Sequence, residues 1–168
     1  AIISEREDGL KSKISTLELK DKVLKLAGWL KENGISKGDR VCAYMPNCPE
    51  TIITMLATAS LGAVFSSCST DFGVAGVLDR FQQIEPKILV TVDGYLYNGK
   101  AIERHEEVHQ IVQGLNTLQN VLILKYLNEN HLQYSFSYKD FDSVYRSKPL
   151  ENFTKVNIYL QLITLTVR

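Results

Sequence analysis

The most conspicuous chemical spacing in the chain is His105-Glu106-Glu107-Val108-His109. Two histidines at i and i+4 on a helix can share one metal ion, and the glutamate after the first can act as base to a metal-bound water. Glu129 or His131 would then be the third ligand. The surroundings argue against that reading. Glu103 to Glu107 is densely charged, and a helix joining two parallel strands turns its polar face to solvent. The expectation is a solvated helix face. Asp71-Phe72-Gly73 repeats a protein-kinase tripeptide without a Gly-rich loop or an HRD-like partner. Asn98-Gly99-Lys100 lacks the first glycine and the final hydroxyl of a P-loop, and no Gly-x-Ser-x-Gly elbow is present. Asn152-Phe153-Thr154 fits a glycosylation acceptor, but nothing else points to secretion, so the match reads as chance.

Two plainer groups remain. Ser66, Ser67, Ser69, Thr70 and Asp71 form a hydroxyl-rich stretch leading into a helix. Such a stretch can receive a phosphate or an amide-bearing ligand, or Ser69 or Asp71 can simply cap the helix. Tyr97 and Lys100 follow an apolar strand, where a lysine can meet a nucleotide phosphate or remain an ordinary surface charge.

The elements that must position these residues follow from pattern. Ala1 to Glu5 reads as a strand and Asp8-Gly9 as a turn. Ser15-Thr-Leu-Glu18 is a capping box, opening a helix with Val23, Leu26, Ala27 and Leu30 on one stripe and Asn33-Gly34 at its end. Val41 to Tyr44 is a buried strand, broken by Pro46, Asn47 and Pro49. The helix that follows carries Ile52, Ile53, Leu56 and Ala59 inward and stops at Gly62. Ala63 to Ser66 is the next strand, completing a βαβ unit within Arg40 to Gly73. Asp71 then caps a helix with Val74, Val77, Leu78 and Phe81 inward, closed by Glu85-Pro86. Lys87 to Val92 is a strand, Asp93 to Lys100 a loop, Ala101 to Gly114 a helix bearing Ile102, Val108, Ile111 and Val112, and Asn120 to Leu124 a strand. Asn128 to Asn130 marks an exposed loop. Ser137 and Asp140 are cap candidates for a short helix with Phe141, Val144 and Tyr145, ending near Pro149. Strands alternating with helices, the strands almost wholly apolar, predict a doubly wound α/β fold with a mainly parallel sheet and helices on both faces. In such sheets ligands gather beyond the carboxyl ends of the strands, which is where Ser66 to Asp71 falls.

The composition is that of an ordinary globular chain. Of 168 residues, 45% are hydrophobic and 23% charged, with 19 basic against 19 acidic side chains, so nothing favours nucleic acid or an anionic membrane. Cys42, Cys48 and Cys68 are odd in number and form no CxxC pair, as expected of buried thiols in a reducing compartment. No apolar run approaches 18 residues. The first residue is alanine, almost inside a strand, which reads as the start of a partial chain. Ile158 to Val167 is apolar on both parities, a further buried strand or an uncovered edge.

Tyr44-Met-Pro-Asn47 with Pro49-Glu50, Gly62-Ala63, Ser69-x-Asp71-Phe-Gly73, Asp79-Arg80, Gln83-Ile-Glu-Pro-Lys87 and Asp93-Gly-Tyr with Tyr97-Asn-Gly-Lys100 occur in one order and spacing. Together they resemble the N-terminal region of the adenylate-forming acyl-CoA synthetases over about residues 1 to 150. The similarity is greatest to members that activate acetoacetate, alongside those that activate acetate. The resemblance implies an α/β subdomain over 1–150 and a divergent or truncated tail over 151–168. It implies an enzyme that uses ATP and Mg2+ to make an acyl-adenylate and passes the acyl group to coenzyme A (CoA). It implies small-molecule partners and a cytosolic location, with neither nucleic acid nor membrane. Asp71, Phe72 and Gly73, with Tyr97 and Lys100, match positions that line the CoA path. Where two arginines meet the nucleotide phosphate in the acetate-activating members, Tyr97 and Lys100 stand here, so only Lys100 keeps a charge. The phosphate loop of that family is expected soon after residue 158 and is not found, so no catalytic residue is assigned, and the chain alone is expected to be inactive and to hold none of ATP, Mg2+ or CoA. The rival readings are a non-catalytic nucleotide- or CoA-binding module and a piece of another short- or medium-chain acyl-CoA ligase.

Overall fold

The computed structural model describes residues 1–127 and 134–150. The loop expected at Asn128–Asn130, the third-ligand candidates Glu129 and His131, Asn152 to Thr154 and the Ile158–Val167 run lie outside the described residues. A strand hairpin opens the chain: β1 (Ile2–Glu5) and β2 (Lys11–Ile14) pair antiparallel. The second of these was not legible in the pattern, because Lys11, Ser12 and Lys13 are all exposed and give no apolar face. Helix α1 (Thr16–Glu32) follows its predicted capping box: the Glu18 amide donates to the Ser15 hydroxyl at 3.2 Å, and the Ser15 amide donates to the Glu18 carboxylate at 2.7 Å. Gly34 closes the helix at φ +81.

Then come β3 (Arg40–Tyr44), α2 (Pro49–Ser60), β4 (Val64–Cys68), α3 (Val74–Ile84), β5 (Ile88–Val92), β6 (Gly94–Tyr97), β7 (Lys100–Glu103), α4 (His105–Gly114), β8 (Asn120–Leu124), β9 (Lys139–Asp140) and the one-turn α5 (Phe141–Val144). The main sheet has the order β4-β3-β5-β8-β9, every neighbouring pair parallel. This is an open, doubly wound order in which the winding reverses between β3 and β5, so the switch point lies between their carboxyl ends.

The strand residues divide by parity onto two cores. Val41, Ala43, Ile88, Val90, Val92, Leu122 and Leu124 pack with α1, α2 and α5, led by Leu26, Leu30, Ile53 and Phe141. Cys42, Tyr44 and Leu89 face α3 and α4, with Val77, Phe81, Val108 and Ile111. Helices therefore cover both faces, which is why β5 is buried at every position.

Four expectations are corrected. The residues from 93 to 104 are neither a loop nor the start of a helix. They form a β6–β7 hairpin whose turn, Asn98-Gly99, has φ +51 and +70, the two left-handed positions of a tight hairpin turn. Helix α4 begins only at His105, and Ile102 lies on β7. Strand β4 runs on to Cys68, so Ser66 and Ser67 pair with Cys42 and Ala43 in the sheet and are not loop residues. Ala59 is exposed, since Thr54, Ala57 and Thr58 take the buried face of α2 with Ile53 and Leu56.

Candidate functional site

The carboxyl ends of the parallel strands carry the candidate site. Tyr44, the last residue of β3, is fully buried and its hydroxyl donates to two carbonyls beyond β4, Thr70 O at 2.9 Å and Phe72 O at 3.0 Å. Burial pushes its phenol up to about 12, against the pull of Arg104. The hydroxyl thus remains a donor at neutral pH and pins the loop that follows β4. Within that loop the Ser69 hydroxyl donates to the Asp71 carboxylate at 2.8 Å. Asp71 does not cap α3: the cap position is Gly73, with no side-chain hydrogen bond. Phe72 is 39% exposed and lies under the Arg80 guanidinium, 4.3 Å from carbon to ring centre.

Arg104 stands just before α4 and reaches three elements. Its Nε donates to Thr70 O at 3.0 Å, one terminal nitrogen donates to Glu107 Oε1 at 2.7 Å, and the other donates to the Tyr95 hydroxyl on β6 at 3.1 Å. Burial works against its charge, but Tyr44, Glu107 and Tyr95 outweigh it and raise its pKa. Thr70 O therefore accepts from both Tyr44 and Arg104. The Thr70 hydroxyl is buried and has no hydrogen-bond partner. Asp93, at the end of β5, accepts the Leu127 amide on both carboxylate oxygens at 2.9 and 3.2 Å, while its carbonyl accepts the Arg104 amide at 2.9 Å.

The predicted residues fall into two groups. Asp71, Phe72 and Gly73 are exposed in the loop after β4. Tyr97 and Lys100 are exposed and sit opposite one another on the β6–β7 hairpin, at its tip. The tip also touches the opening hairpin, since the Gly99 amide donates to Glu7 Oε2 at 3.2 Å. Among the described residues no side-chain hydrogen bond or ion pair joins the two groups; Arg104 joins the elements that carry them. Sequence reasoning missed Tyr44, Tyr95 and Arg104. The apolar context hid Tyr44, and a single arginine before a helix carries no spacing signal. A cavity of about 280 Å³ on this edge lies beside β1 and is lined by Arg6, Asn47, Glu50, Lys125 and Asp142 among others, none of them predicted.

The histidine pair is placed differently from expectation. His105 is not freely solvated: its ring packs 5.3 Å from that of Tyr134, and its Nε2 is buried. His109 shares hydrogen bonds with Gln113 and Ser135. No group of three His, Cys, Asp or Glu able to hold a metal exists among the described residues. No helix there is long and apolar enough to cross a membrane. Cys42, Cys48 and Cys68 are free and buried, and burial pushes the first two thiols up.

The parallel, doubly wound sheet makes this an α/β domain of the class whose ligands gather beyond the carboxyl ends of the strands. The family model described as "AMP-binding enzyme" matches residues 2–155, and the chain belongs to that family. It is 50% identical over 115 residues to the acetoacetyl-coenzyme A synthetase of Rhizobium meliloti, covering 68% of this chain and 18% of that protein. It is 44% identical over 116 residues to the acetoacetyl-CoA synthetase of Macaca fascicularis, covering 69% and 17%. Among solved structures it matches the acetoacetyl-CoA synthetase from Streptomyces lividans with a TM-score of 0.82 and 36% identity, covering 88% of this chain and 23% of that one. The chain thus spans less than a fifth of the curated relatives named here.

Proposed function

We propose that this chain is the N-terminal α/β part of an acid–thiol ligase that joins acetoacetate to CoA using ATP. The single observation that carries this is identity of 44–50% to proteins named acetoacetyl-CoA synthetase, over more than two thirds of the chain. The chemistry is a two-step activation. A carboxylate is a poor electrophile, so one of its oxygens attacks the α-phosphorus of ATP and pyrophosphate leaves, giving an acyl-adenylate. The CoA thiol, losing its proton, then attacks the acyl carbon and AMP departs. In that enzyme the described residues are scaffold and one wall of the CoA path. Asp71, Phe72 and Gly73 form one side of that wall and the Tyr97–Lys100 hairpin tip the other. Lys100 supports this role, being exposed and free of any ion pair among the described residues. Mg2+ is expected with ATP, but the described residues offer no ligand set for it, so no step is assigned to it here. The partners are small molecules, not nucleic acid, and the location is the cytosol.

Calorimetric titration of the 168-residue chain with CoA separates this reading from its rival. No heat is expected of the scaffold and one wall alone; saturable binding abolished by Lys100→Ala would favour a non-catalytic CoA-binding module. The same chain, given acetoacetate, ATP and CoA, is expected to form no thioester. Product above background would show that the catalytic groups lie within these residues.

A further inference from the structure

We propose that Arg104 is a positioning residue that fixes the β6–β7 hairpin against the loop after β4, so that the two sides of the proposed wall move as one body. Its consequence for CoA rests on the reading above; the mechanical coupling rests on geometry alone.

Three observations carry it. First, Arg104 is locally misplaced. A cation just before the first turn of a helix opposes the helix dipole, which favours negative charge there. Glu106 and Glu107 in the first turn of α4 offset that, yet a small polar cap would do so with less charge. Second, the guanidinium fork is spread over three separate elements and not spent on one carboxylate. An arginine kept for its ion pair with Glu107 would present both parallel donors to it. Here Glu107 takes one nitrogen, and the other two hold a backbone carbonyl and a phenol that sequence places on opposite sides of strand β5. Third, the loop has its own clamp. Tyr44 already holds Thr70 O and Phe72 O from the sheet. Arg104 directly follows β7, so removing its side chain leaves the loop in place, leaves the hairpin base joined to Asp93, and takes away the bond from the hairpin to Thr70. The remaining side-chain tie at the hairpin's tip is the Gly99 amide to Glu7, which leads away to β1–β2.

Paired nitroxide labels read the coupling directly. Ala75 on α3 and Ala101 on β7 are exposed, and the three native cysteines are buried, so Ala75→Cys with Ala101→Cys labels one site on each side. Electron paramagnetic resonance should give one narrow distance in the otherwise native chain. Arg104→Met should broaden it. Tyr95→Phe, which removes the guanidinium's bond to β6 but leaves its bond to Thr70, should broaden it less. Glu107→Gln should leave it narrow, because it removes neither tie. A merely stabilising arginine would make the distribution insensitive to Tyr95→Phe, or equally sensitive to Glu107→Gln; either result overturns the proposal. Should Arg104→Met fail to fold by circular dichroism, Tyr95→Phe against Glu107→Gln still decides.

Discussion

The two edges of the main sheet use charge in opposite ways. At the amino edge, Asp39 accepts from Lys87 at 2.8 Å and from both the amide and the hydroxyl of Ser36 at 2.8 Å. Arg40 donates to the Ile84 carbonyl and, at 2.7 Å, to the Glu85 carbonyl, where Glu85 is left-handed at the end of α3. Together they tie the turn before β3 to the turn before β5. At the carboxyl edge, Arg104 spans three elements, and Thr70 keeps a buried hydroxyl without a partner. The amino edge is arranged for stability, with each of these groups partnered. The carboxyl edge holds its groups in position while leaving buried polar atoms unmet, the Thr70 hydroxyl among them, the pattern expected where ligands bind.

That contrast can be broken in three places. The largest effect is expected at the amino edge. Asp39→Ala strips Lys87 and Ser36 of their acceptor and should cost about 2 kcal/mol in urea unfolding at pH 7. Lys87 and Ser36 hold the Asp39 carboxyl down to about 2, below its ordinary 3.8. A folded-state value below the unfolded one stabilises fully above about pH 4 and is lost as pH falls toward about 2. The native and Asp39→Ala curves should therefore converge across that window, and a gap unchanged at pH 2 would refute the assignment. Tyr44→Phe at the carboxyl edge should cost about 1 kcal/mol globally, one hydroxyl's net contribution. Its local effect should be clearer: the Phe72 amide, bonded to Ser69 O, should exchange with solvent faster than in the native chain. Equal exchange there would mean that Tyr44 does not hold the loop. The smallest effect is expected at Lys125, whose pair with Asp140 leaves the two side chains 38% and 34% exposed. Lys125→Gln should change stability by less than about 0.5 kcal/mol in the same urea measurement. A larger loss would erase the distinction between the edges.

The strands buried on both faces were legible because each had to be apolar throughout: Val41–Tyr44, Ile88–Val92 and Val121–Leu124 announce themselves. The cap at Ser15 and the stop at Gly34 were legible because they are local chemistry. The β6–β7 hairpin was misread although Asn98-Gly99 is a strong turn signal. Ile102 fitted the apolar stripe of the helix next door, and a four-residue strand gives too few positions to contradict it. Strand β4 was read two residues short because, at the sheet edge, it keeps serines on exposed and half-buried positions. The candidate positions at 71–73, 97 and 100 came from the resemblance to the acyl-CoA synthetases. The residues that tie their elements together did not: Arg104 meets Thr70 across 34 residues and Tyr44 meets it across 26, distances over which no spacing rule operates.

One notch in α1 sets a timetable for synthesis. At Gly28 an added Cβ would stand 2.6 Å from the Lys148 carbonyl, and the Leu150 amide donates to the Leu24 carbonyl on the same helix at 3.0 Å. The helix near the start of the chain is thus finished by residues made some 120 positions later. At about 5–20 residues per second a ribosome takes roughly 6–24 s to deliver them. Through that interval α1 lacks the cover that Lys148 and Leu150 give it.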